Sequence, residues 1–378
     1  MSEHLLEWLH PDGRVGGRGP DGRVAWFRGA TLGDAVVDGE PEPTSPFRRA
    51  PTCAVSARCG GCDLDQLATP RRHEALAAMV ARAYRQREVP ELVSTPGVTH
   101  TRARVKLAVD GGRVGYRVRR SHDLVPIDAC ETARPELQPV IARLAAADLP
   151  EGLAHVDVRS DGERVMLSYH RAKKHKGPIA LPDLGVPAAL DGRAVQGDPT
   201  LWLTVLGRRL RVSPLAFYQV HLELNEQLVA YVRDQVLAHA PERVLDLYAG
   251  VGNLGLAIVD AGVPVAAVEL EGQATADLRH NARGLPVEVR TGKVERFDPS
   301  LTPFDAVVMD PPRAGAGPVV ERVLRNRPKV VVHVACDPVA GARDAARASK
   351  AGYRVASVRC FDLFPQTHHV ETVSVWVR

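Results

Sequence analysis

The stretch that decides the fold is Val244–Gly255, which reads VLDLYAGVGNLG. An apolar run leads into Asp246, and the turn that follows has a G-x-G-x-x-G pattern formed by Gly250, Gly252 and Gly255. A strand, a tight turn and the start of a helix bring backbone N–H groups and the positive end of a helix dipole to one place. The stretch therefore predicts a nucleoside-binding turn.

An acidic residue strengthens that prediction. Glu269 ends the next apolar run, 19 residues after Gly250, where a carboxylate meets the ribose hydroxyls of a bound nucleoside. A nicotinamide cofactor and S-adenosylmethionine both satisfy this pattern. The choice between them depends on the rest of the chain.

The sequence around the turn predicts an α/β fold. A helical segment at 222–238 is followed by apolar strands, mostly separated by helical patterns, at 243–247, 264–269, 286–290, 304–309, 329–334, 353–360 and 370–377. This alternation is typical of a doubly wound, mostly parallel sheet with helices on both faces. The link 361–369 is too short for a helical crossover, so we expect the seventh strand to be antiparallel.

The first 215 residues have a different pattern. Short strand-like pieces at 24–27 and 34–37 precede a proline-rich linker at 41–51, and 71–88 has helical spacing. From 100 to 212 short strands alternate with turns, with a helix near 135–147, which indicates a central α+β region of mostly antiparallel strands. We therefore expect three domains, at 1–50, 51–215 and 216–378.

The composition bounds the class of protein. Of the 378 residues 45% are hydrophobic, and the N-terminal MSEHLLEWLH is charged and lacks a signal-peptide core. No apolar run is long enough to span a bilayer. We therefore expect a cytoplasmic monomer without a membrane partner. Six cysteines in such a chain do not indicate a disulfide framework.

Positive charge is concentrated locally, although the net charge is only +4. Residues 101–120 carry seven arginines and lysines against one acid, and a second cluster comprises Arg171, Lys173, Lys174 and Lys176. Such clusters suit a nucleic-acid phosphate backbone. A solvated strand or loop face explains them equally well, so charge alone does not assign a partner.

Three residues with reactive side chains lie at expected strand ends. Asp310 precedes two prolines that stiffen its turn, although Asp-Pro-Pro also suits a plain strand-ending turn. Cys336 lies just ahead of a helix, whose N-terminus lowers the pKa of a thiol, while a lone cysteine is otherwise a small buried hydrophobe. Glu371 opens the last strand, either as a general base beside Cys336 or as a surface acid.

Several segments together resemble one family. VLDLYAGVGNLG, DPPRAG, HVACDP and DLFPQTHHVETV, in this order, resemble the uracil-5-carbon RNA methyltransferases, which form 5-methyluridine in ribosomal and transfer RNA. Ser213–Gln219 is similar to the family's SP-x-x-F-x-Q segment. The resemblance implies a class I S-adenosylmethionine-dependent methyltransferase fold for 216–378, and for 1–50 a shortened version of a small RNA-gripping β-barrel.

The resemblance also implies a role for each residue. Cys336 is expected to add to C6 of uracil, after which C5 attacks the methyl group of S-adenosylmethionine and Glu371 removes the C5 proton. Asp310 is expected to hydrogen-bond in the same pocket. The expected cofactor contacts are Gln219, Tyr248, Gly250, Asn253, Glu269 and Asp310. The target base has to be flipped or already unpaired.

The cysteines near the N-terminus are similar to the iron–sulfur site of the ribosomal branch of the family. That similarity implies a structural [4Fe–4S] cluster on Cys53, Cys59, Cys62 and Cys130, whereas the spacing alone also fits zinc. It favours 23S rRNA over tRNA as the substrate.

The chain departs from the family pattern at two positions. Asp337 stands where the family usually has asparagine, and its charge is expected to raise the pKa of the Cys336 thiol. In Arg290–Lys293, the acid or amide expected to contact adenine is replaced.

Other classes fit less well. A nicotinamide oxidoreductase gives no reason for Asp310, Cys336 and Glu371 together. An amino-methyltransferase or a cytosine-5 methyltransferase is expected to carry an aromatic residue or its nucleophile where this chain has Arg313. An RNA-binding assembly factor that kept the fold and lost turnover remains open.

Overall fold

The N-terminal region forms two small antiparallel sheets. The computed structural model describes residues 4–270 and 272–378. One sheet has the order β1–β5–β6 and the other the order β2–β3–β4, where the strands are β1 (His4–Leu5), β2 (Trp8–Leu9), β3 (Val15–Arg18), β4 (Val24–Phe27), β5 (Ala35–Val37) and β6 (Glu40–Glu42). The predicted linker at 41–51 is wrong at its start, because Pro41 pairs with Val36 inside the second hairpin. Proline is tolerated there since β6 is an edge strand.

The central region is built on a seven-stranded sheet. Its order is β10–β9–β8–β11–β12–β13–β14, and all neighbours are antiparallel except β12 and β13. The strands are β8 (Arg104–Asp110), β9 (Arg113–Arg117), β10 (Leu124–Pro126), β11 (Leu153–Ser160), β12 (Val165–Arg171), β13 (Ala188–Leu190) and β14 (Arg193–Gln196). The mostly antiparallel prediction is confirmed.

Helices cover this sheet and link it to its neighbours. Buried residues of β8 and β11 share one hydrophobic cluster with the helix α2 (Gln138–Ala146), which follows a 3₁₀ turn at Pro135–Leu137. The hairpin of β15 (Leu201–Val205) and β16 (Arg208–Val212) leads out of the region. Ahead of the sheet lie α1 (Thr69–Tyr84) and β7 (Leu92–Val93). The helix predicted at 71–88 ends earlier because Arg85 adopts a left-handed conformation and caps it.

The C-terminal region contains the predicted doubly wound sheet. Its order is β19–β18–β17–β20–β21–β23–β22–β7. The strands are β17 (Val244–Leu247), β18 (Val265–Glu269), β19 (Val287–Thr291), β20 (Ala306–Met309), β21 (Val330–Ala335), β22 (Arg354–Phe361) and β23 (Glu371–Val377). All seven predicted strands are present, and β23 is antiparallel to both neighbours as expected. The edge strand β7, which pairs with β22, was missed because a two-residue strand has no periodicity.

Helices pack on both faces of this sheet. They are α3 (Leu222–Leu237), α4 (Gly255–Val259), α5 (Gln273–Asn281), α6 (Val319–Leu324) and α7 (Pro338–Lys350). Between β19 and β20 the crossover contains the 3₁₀ turns Val294–Arg296 and Pro299–Leu301. The central strands are buried along their whole length, which is why they appear as continuous valine-rich runs. In the described part of the chain, no helix is both long and apolar enough to cross a membrane.

The sheet brings chemically active residues to one edge. β17, β20 and β21 are parallel neighbours, so their carboxyl ends meet there. β23 runs the other way, and its first residues lie at the same edge. Ligands of open α/β sheets bind at this edge.

Candidate active site

A single cavity of about 410 Å³ lies at the carboxyl edge of the sheet. It is lined by all eight residues singled out from the sequence for catalysis or cofactor binding: Gln219, Tyr248, Gly250, Asn253, Glu269, Asp310, Cys336 and Glu371. These residues come from segments far apart in the chain, and the sheet topology brings them together. Their individual roles remain predictions.

Two carboxylates fix the glycine turn by accepting hydrogen bonds from its backbone N–H groups. Glu269 accepts a hydrogen bond from the Gly250 N–H at 2.8 Å, and Asp246 accepts one from the Gly255 N–H at 3.0 Å. A side chain on Gly255 has no room, since a Cβ there lies 2.5 Å from Oδ2 of Asp246. Tyr248 has a φ of 61°, a strained conformation for a non-glycine residue that turns the chain sharply after β17.

A second wall of the cavity comes from the segment ahead of α3. Gln219 is buried and its amide lies 3.5 Å from Oδ2 of Asp310. Asn253 exchanges two hydrogen bonds with Asn225 of α3, at 2.9 and 3.1 Å. Asn225 also donates to the hydroxyl of Tyr218. This amide pair fixes the glycine turn against the helix.

The register of two strands sets Cys336 beside Glu371. Ala335, the last residue of β21, pairs with Thr372 of β23, and the next step along both strands brings Cys336 and Glu371 together. Thr372 also donates its hydroxyl to the Ala335 carbonyl at 3.0 Å. Glu371 is buried and its Oε1 has no hydrogen-bond partner, so one carboxylate oxygen is available to a ligand.

Burial shifts the acid–base properties of these groups. It raises the pKa of Asp310 to about 7 and that of Asp246 to about 8. Burial, followed by the charge of Asp310, raises the pKa of Glu371 well above its usual range. Burial and then the charges of Glu371 and Asp310 raise the pKa of Cys336 to about 12.

The thiol result is opposite to the effect expected from the helix N-terminus. The first N–H groups of α7, those of Val339 and Ala340, donate to the carboxylate of Asp337 and not to the thiol. Asp337 therefore caps the helix, and its charge adds a further small upward contribution to the pKa of Cys336, in the direction expected. Arg313, whose Nε lies 3.7 Å from Asp337 Oδ2, lowers that pKa in part.

Sequence reasoning missed several residues of the cavity. Asp246, Phe217 and Phe364 also line it, and Asn225 supports it from behind. The sequence did contain a signal that Asp246 belongs to the site, because an acid near the end of a buried strand beside a glycine turn is unusual. It contained no such signal for Asn225, since a polar residue within an amphipathic helix is normally a surface residue.

The second departure from the family pattern lies outside this cavity. Lys293 lines an adjacent cavity with Leu270, Arg290 and Arg296. The strand end that was expected to contact adenine therefore places its positively charged side chains in this adjacent cavity. No side chain of the stretch 290–293 lines the main cavity among the described residues.

The four N-terminal cysteines line a second cavity. Arg102 and Gln366 also line it, and each has a buried polar atom without a hydrogen-bond partner, Nε and Oε1 respectively. Burial raises the pKa of Cys62 to about 12, which Arg102 opposes. A cation bound in the cavity favours the thiolate form of such a buried cysteine.

The donor set of this cavity fits a metal ion or a cluster. Its four cysteine thiols are the ligands of a Cys₄ zinc site and of a [4Fe–4S] cluster alike. The choice between the two therefore rests on the family resemblance.

Part of the basic cluster at 101–120 is structural. Arg104 forms an ion pair with Asp157 at 2.9 Å, and Arg117 forms one with Asp110 at 2.7 Å. Arg119 lies 3.4 Å from Asp63. These ion pairs engage three of the seven basic residues of the stretch.

The doubly wound sheet with an antiparallel last strand and a glycine turn at its carboxyl edge defines a class I S-adenosylmethionine-dependent methyltransferase fold. The crystal structure of a Pyrococcus abyssi tRNA (uracil-54, C5)-methyltransferase with S-adenosyl-L-homocysteine has the same fold. It superposes with a TM-score of 0.78 over 100% of both chains, at 24% identity.

Sequence relatives narrow this class further. A 23S rRNA (uracil(1939)-C(5))-methyltransferase of Pectobacterium carotovorum is 31% identical over 88% of this chain and 81% of its own. An uncharacterized RNA methyltransferase of Streptomyces avermitilis is 33% identical over 85% of this chain and 81% of its own. Residues 293–378 match the family model described as tRNA (uracil-5-)-methyltransferase. The chain belongs to the RNA (uracil-5-)-methyltransferase family.

Proposed function

We propose that this protein methylates C5 of a uridine in RNA, through a covalent bond between Cys336 and C6 of the base. The observation that carries the proposal is the strand register that sets Cys336 beside the buried Glu371 in the cavity of the nucleoside-binding turn. A thiol and a carboxyl group in one buried site supply the nucleophile and the base that this reaction needs.

The cavity suits S-adenosylmethionine electrostatically. Asp246, Glu269 and Asp310 all line it, and a cationic ligand stabilises the charged forms of Asp246 and Asp310 that burial disfavours. S-adenosylmethionine supplies an electrophilic methyl group on a positively charged sulfur. Glu269 and the glycine turn hold the ribose, and Gln219 and Asp310 lie farther along the same cavity.

Each chain residue has a defined task in the reaction. The Cys336 thiol gives its proton to solvent and adds as the thiolate to C6, which moves electron density to C5 and makes it nucleophilic. The positive charge of the cofactor favours this thiolate against the burial that raises the pKa of the thiol. After C5 is methylated, Glu371 takes the C5 proton as the carboxylate, and elimination restores the C5–C6 double bond and releases the Cys336 thiolate. Burial raises the pKa of Glu371, so its carboxylate, once formed, is a strong base.

The buried position of the site determines the form of the substrate. Cys336 lines a cavity at the sheet edge and is only partly exposed. A stacked, paired uracil cannot reach it, so the enzyme acts on a flipped or unpaired nucleotide. Phe217 and Phe364 line the cavity and offer apolar surface to such a base.

We propose 23S rRNA as the substrate, with tRNA as the alternative outcome of the test. The relatives that span most of this chain include several named as 23S rRNA methyltransferases. The cysteine site supports the same branch by resemblance. We keep the division expected from the sequence, with a shortened RNA-binding element at 1–50, a central domain with the cysteine site at 51–215 and the methyl-transfer domain at 216–378.

We also propose that the four cysteines hold a [4Fe–4S] cluster. Its support is the convergence of Cys53, Cys59, Cys62 and Cys130 on one cavity with Arg102 beside them, together with the resemblance of these cysteines to the iron–sulfur site of the ribosomal branch. A zinc ion on the same four thiolates is the alternative. The cluster has a structural task, because no step of the proposed reaction transfers an electron.

Methylation in vitro tests the proposal. Purified protein is incubated with methyl-labelled S-adenosylmethionine and either a 23S rRNA or a tRNA, each prepared without modifications, and nucleosides are identified by mass spectrometry. We expect 5-methyluridine in the 23S rRNA and none with Cys336→Ala. Label in tRNA alone transfers the assignment to tRNA. RNA binding without label in either RNA contradicts the enzyme proposal and supports an assembly factor.

A further inference from the structure

The cysteine segment (residues 53–62) is connected to the loop that precedes Glu371. That loop, residues 362–370, joins β22 to β23. Asp63 follows Cys62 directly and accepts a hydrogen bond from the His368 N–H at 3.0 Å. Its second oxygen contacts the ring Nδ1 of His368. The next residue, Leu64, donates its N–H to the carbonyl of Gln366 at 3.0 Å.

Gln366 makes a second connection. Its side chain is buried, lines the cysteine cavity and donates from Nε2 to the carbonyl of Val98 at 3.2 Å. Its φ of 67° is unusual for a non-glycine residue and is maintained by these contacts. The same loop is held at its start, where Arg72 of α1 donates to Asp362 at 2.9 Å.

The loop faces the reactive cavity on one side and a basic groove on the other. Phe364 lines the catalytic cavity. His368 and His369 line an adjoining groove of about 290 Å³, together with Gly60, Gly61 and the cationic residues Arg28, Arg119, Arg120 and Arg313. Asp12 and Asp63 also line it and pair with Arg28 and Arg119, and the four arginines leave the groove a net positive charge. Arg313 lines both spaces, so the groove opens beside the reacting groups. An RNA strand whose base enters the cavity has its neighbouring phosphates at such a groove.

We propose that Asp63 and Gln366 are positioning residues through which the cysteine segment fixes the 362–370 loop and thereby the RNA-facing wall of the active site. This inference rests on the proposed function. The cysteine site then serves turnover without taking part in the chemistry: it fixes the loop that holds Phe364, His368 and His369 where a flipped base and its phosphates lie.

Strand pairing limits which part of the active site depends on the 362–370 loop. Glu371 is held independently of the loop, because it pairs with Phe361 and its neighbour Thr372 pairs with Ala335. The glycine turn and Glu269 lie on other strands. Loosening the loop is therefore expected to change the use of RNA and to leave the affinity for the cofactor unchanged.

The first test compares Asp63→Ala with Asp63→Asn and a matched control. Asp123→Ala is the control, since this exposed acid interacts only with its own turn, through Ser121 and the Val118 N–H. We expect Asp63→Ala to lower kcat/KM for RNA by about 10- to 100-fold. The affinity for S-adenosyl-L-homocysteine, measured by calorimetry, stays within about twofold of wild type. Asp63→Asn keeps an acceptor for the His368 N–H and is expected to lose less, and Asp123→Ala to lose nothing.

Hydrogen exchange separates positioning from general destabilisation. In the full-length protein, peptides covering 362–370 are expected to exchange faster in Asp63→Ala than in wild type, while peptides of β17 and β20 keep their protection. Removal of iron from the wild type with ferricyanide and a chelator is expected to give the same local change. If wild type does not methylate RNA, the proposed function fails, and exchange together with cofactor affinity still tests the coupling.

Two results overturn the proposal. The first is an Asp63→Ala protein with wild-type kcat/KM and an unchanged 362–370 loop. The second is uniform loss of protection and cofactor affinity throughout the chain, which indicates a merely structural acid. Should Asp63→Ala fail to fold, Gln366→Ala and the iron-free wild type decide the matter by the same exchange measurement.

Discussion

Thr372 donates its hydroxyl to the carbonyl oxygen of Ala335 at 3.0 Å, across the antiparallel pair β21 and β23. The Tyr84 hydroxyl lies 3.3 Å from the same oxygen of Thr372. This buried contact locks the register that sets Cys336 beside Glu371. The geometry of the reacting pair therefore depends on a residue that touches neither substrate.

Thr372→Val is expected to weaken this contact between β21 and β23. Valine has the same shape but leaves the Ala335 carbonyl without this donor, and we expect a loss of about 1–3 kcal/mol in the free energy of unfolding, together with a lower kcat. Urea unfolding and single-turnover methylation measure the two effects. Thr372→Ser, which keeps the hydroxyl, is the control, and equal losses in both variants would argue against the hydrogen bond.

Gly255→Ala is expected to disrupt the glycine turn. The added Cβ lies 2.5 Å from Asp246 Oδ2 and 3.3 Å from Val265 Cγ1, so the turn or the strand has to shift. We expect a cost of about 1–3 kcal/mol in stability and weaker binding of S-adenosyl-L-homocysteine. Gly262→Ala, at a position with no neighbouring atom within 4 Å but with a φ of 91°, controls for backbone strain alone. Unchanged cofactor affinity in Gly255→Ala contradicts the assignment of the turn.

Glu371→Gln is expected to separate the first bond-forming step from the last. The amide cannot accept the C5 proton, so the methylated adduct between Cys336 and RNA should accumulate while turnover falls by a factor on the order of 100 or more. A denaturing gel detects the adduct as a protein band bound to labelled RNA. Absence of that band, with Cys336 intact and RNA bound, indicates that Glu371 has another task.

Asp246 gives the stability of the protein a pH dependence. Its pKa is about 8 in the folded chain and about 3.9 in the unfolded chain, so the folded state binds the proton more tightly. The resulting stabilisation is complete below about pH 4 and is lost as the pH rises towards 8. Asp246→Asn should therefore gain stability relative to wild type between pH 5 and pH 8. Unfolding in urea at several pH values measures this difference, and a constant difference shows that Asp246 titrates normally.

The sequence predicted the architecture of the C-terminal sheet well because its strands are continuous apolar runs. Val330–Ala335, for example, is buried on both faces and has no other interpretation than a central strand. The gathering of Asp310, Cys336 and Glu371 followed from the rule that ligands bind at the carboxyl edge. The pairing of Leu92–Val93 with β22 was not predicted, because no local sequence pattern indicates it.

Long-range polar contacts were equally invisible in the sequence. The hydrogen bond from His368 to Asp63 joins residues 305 positions apart, and nothing near either residue indicates its partner. Two expectations opposed each other at Cys336, because the helix start behind it was expected to lower the pKa of the thiol and Asp337 to raise it. The pKa rises, first because the thiol is buried and then because the charges of Glu371 and Asp310 lie nearby.

Cys336 is proposed to carry out uridine C5 methylation in RNA. The decisive measurement is the mapping of 5-methyluridine by mass spectrometry in rRNA and tRNA from cells with the gene, without it, and with Cys336→Ala in its place. We expect one 5-methyluridine in 23S rRNA to disappear without the gene, to return with wild type and not to return with Cys336→Ala. Full restoration of that nucleotide by Cys336→Ala would show that Cys336 is not the nucleophile.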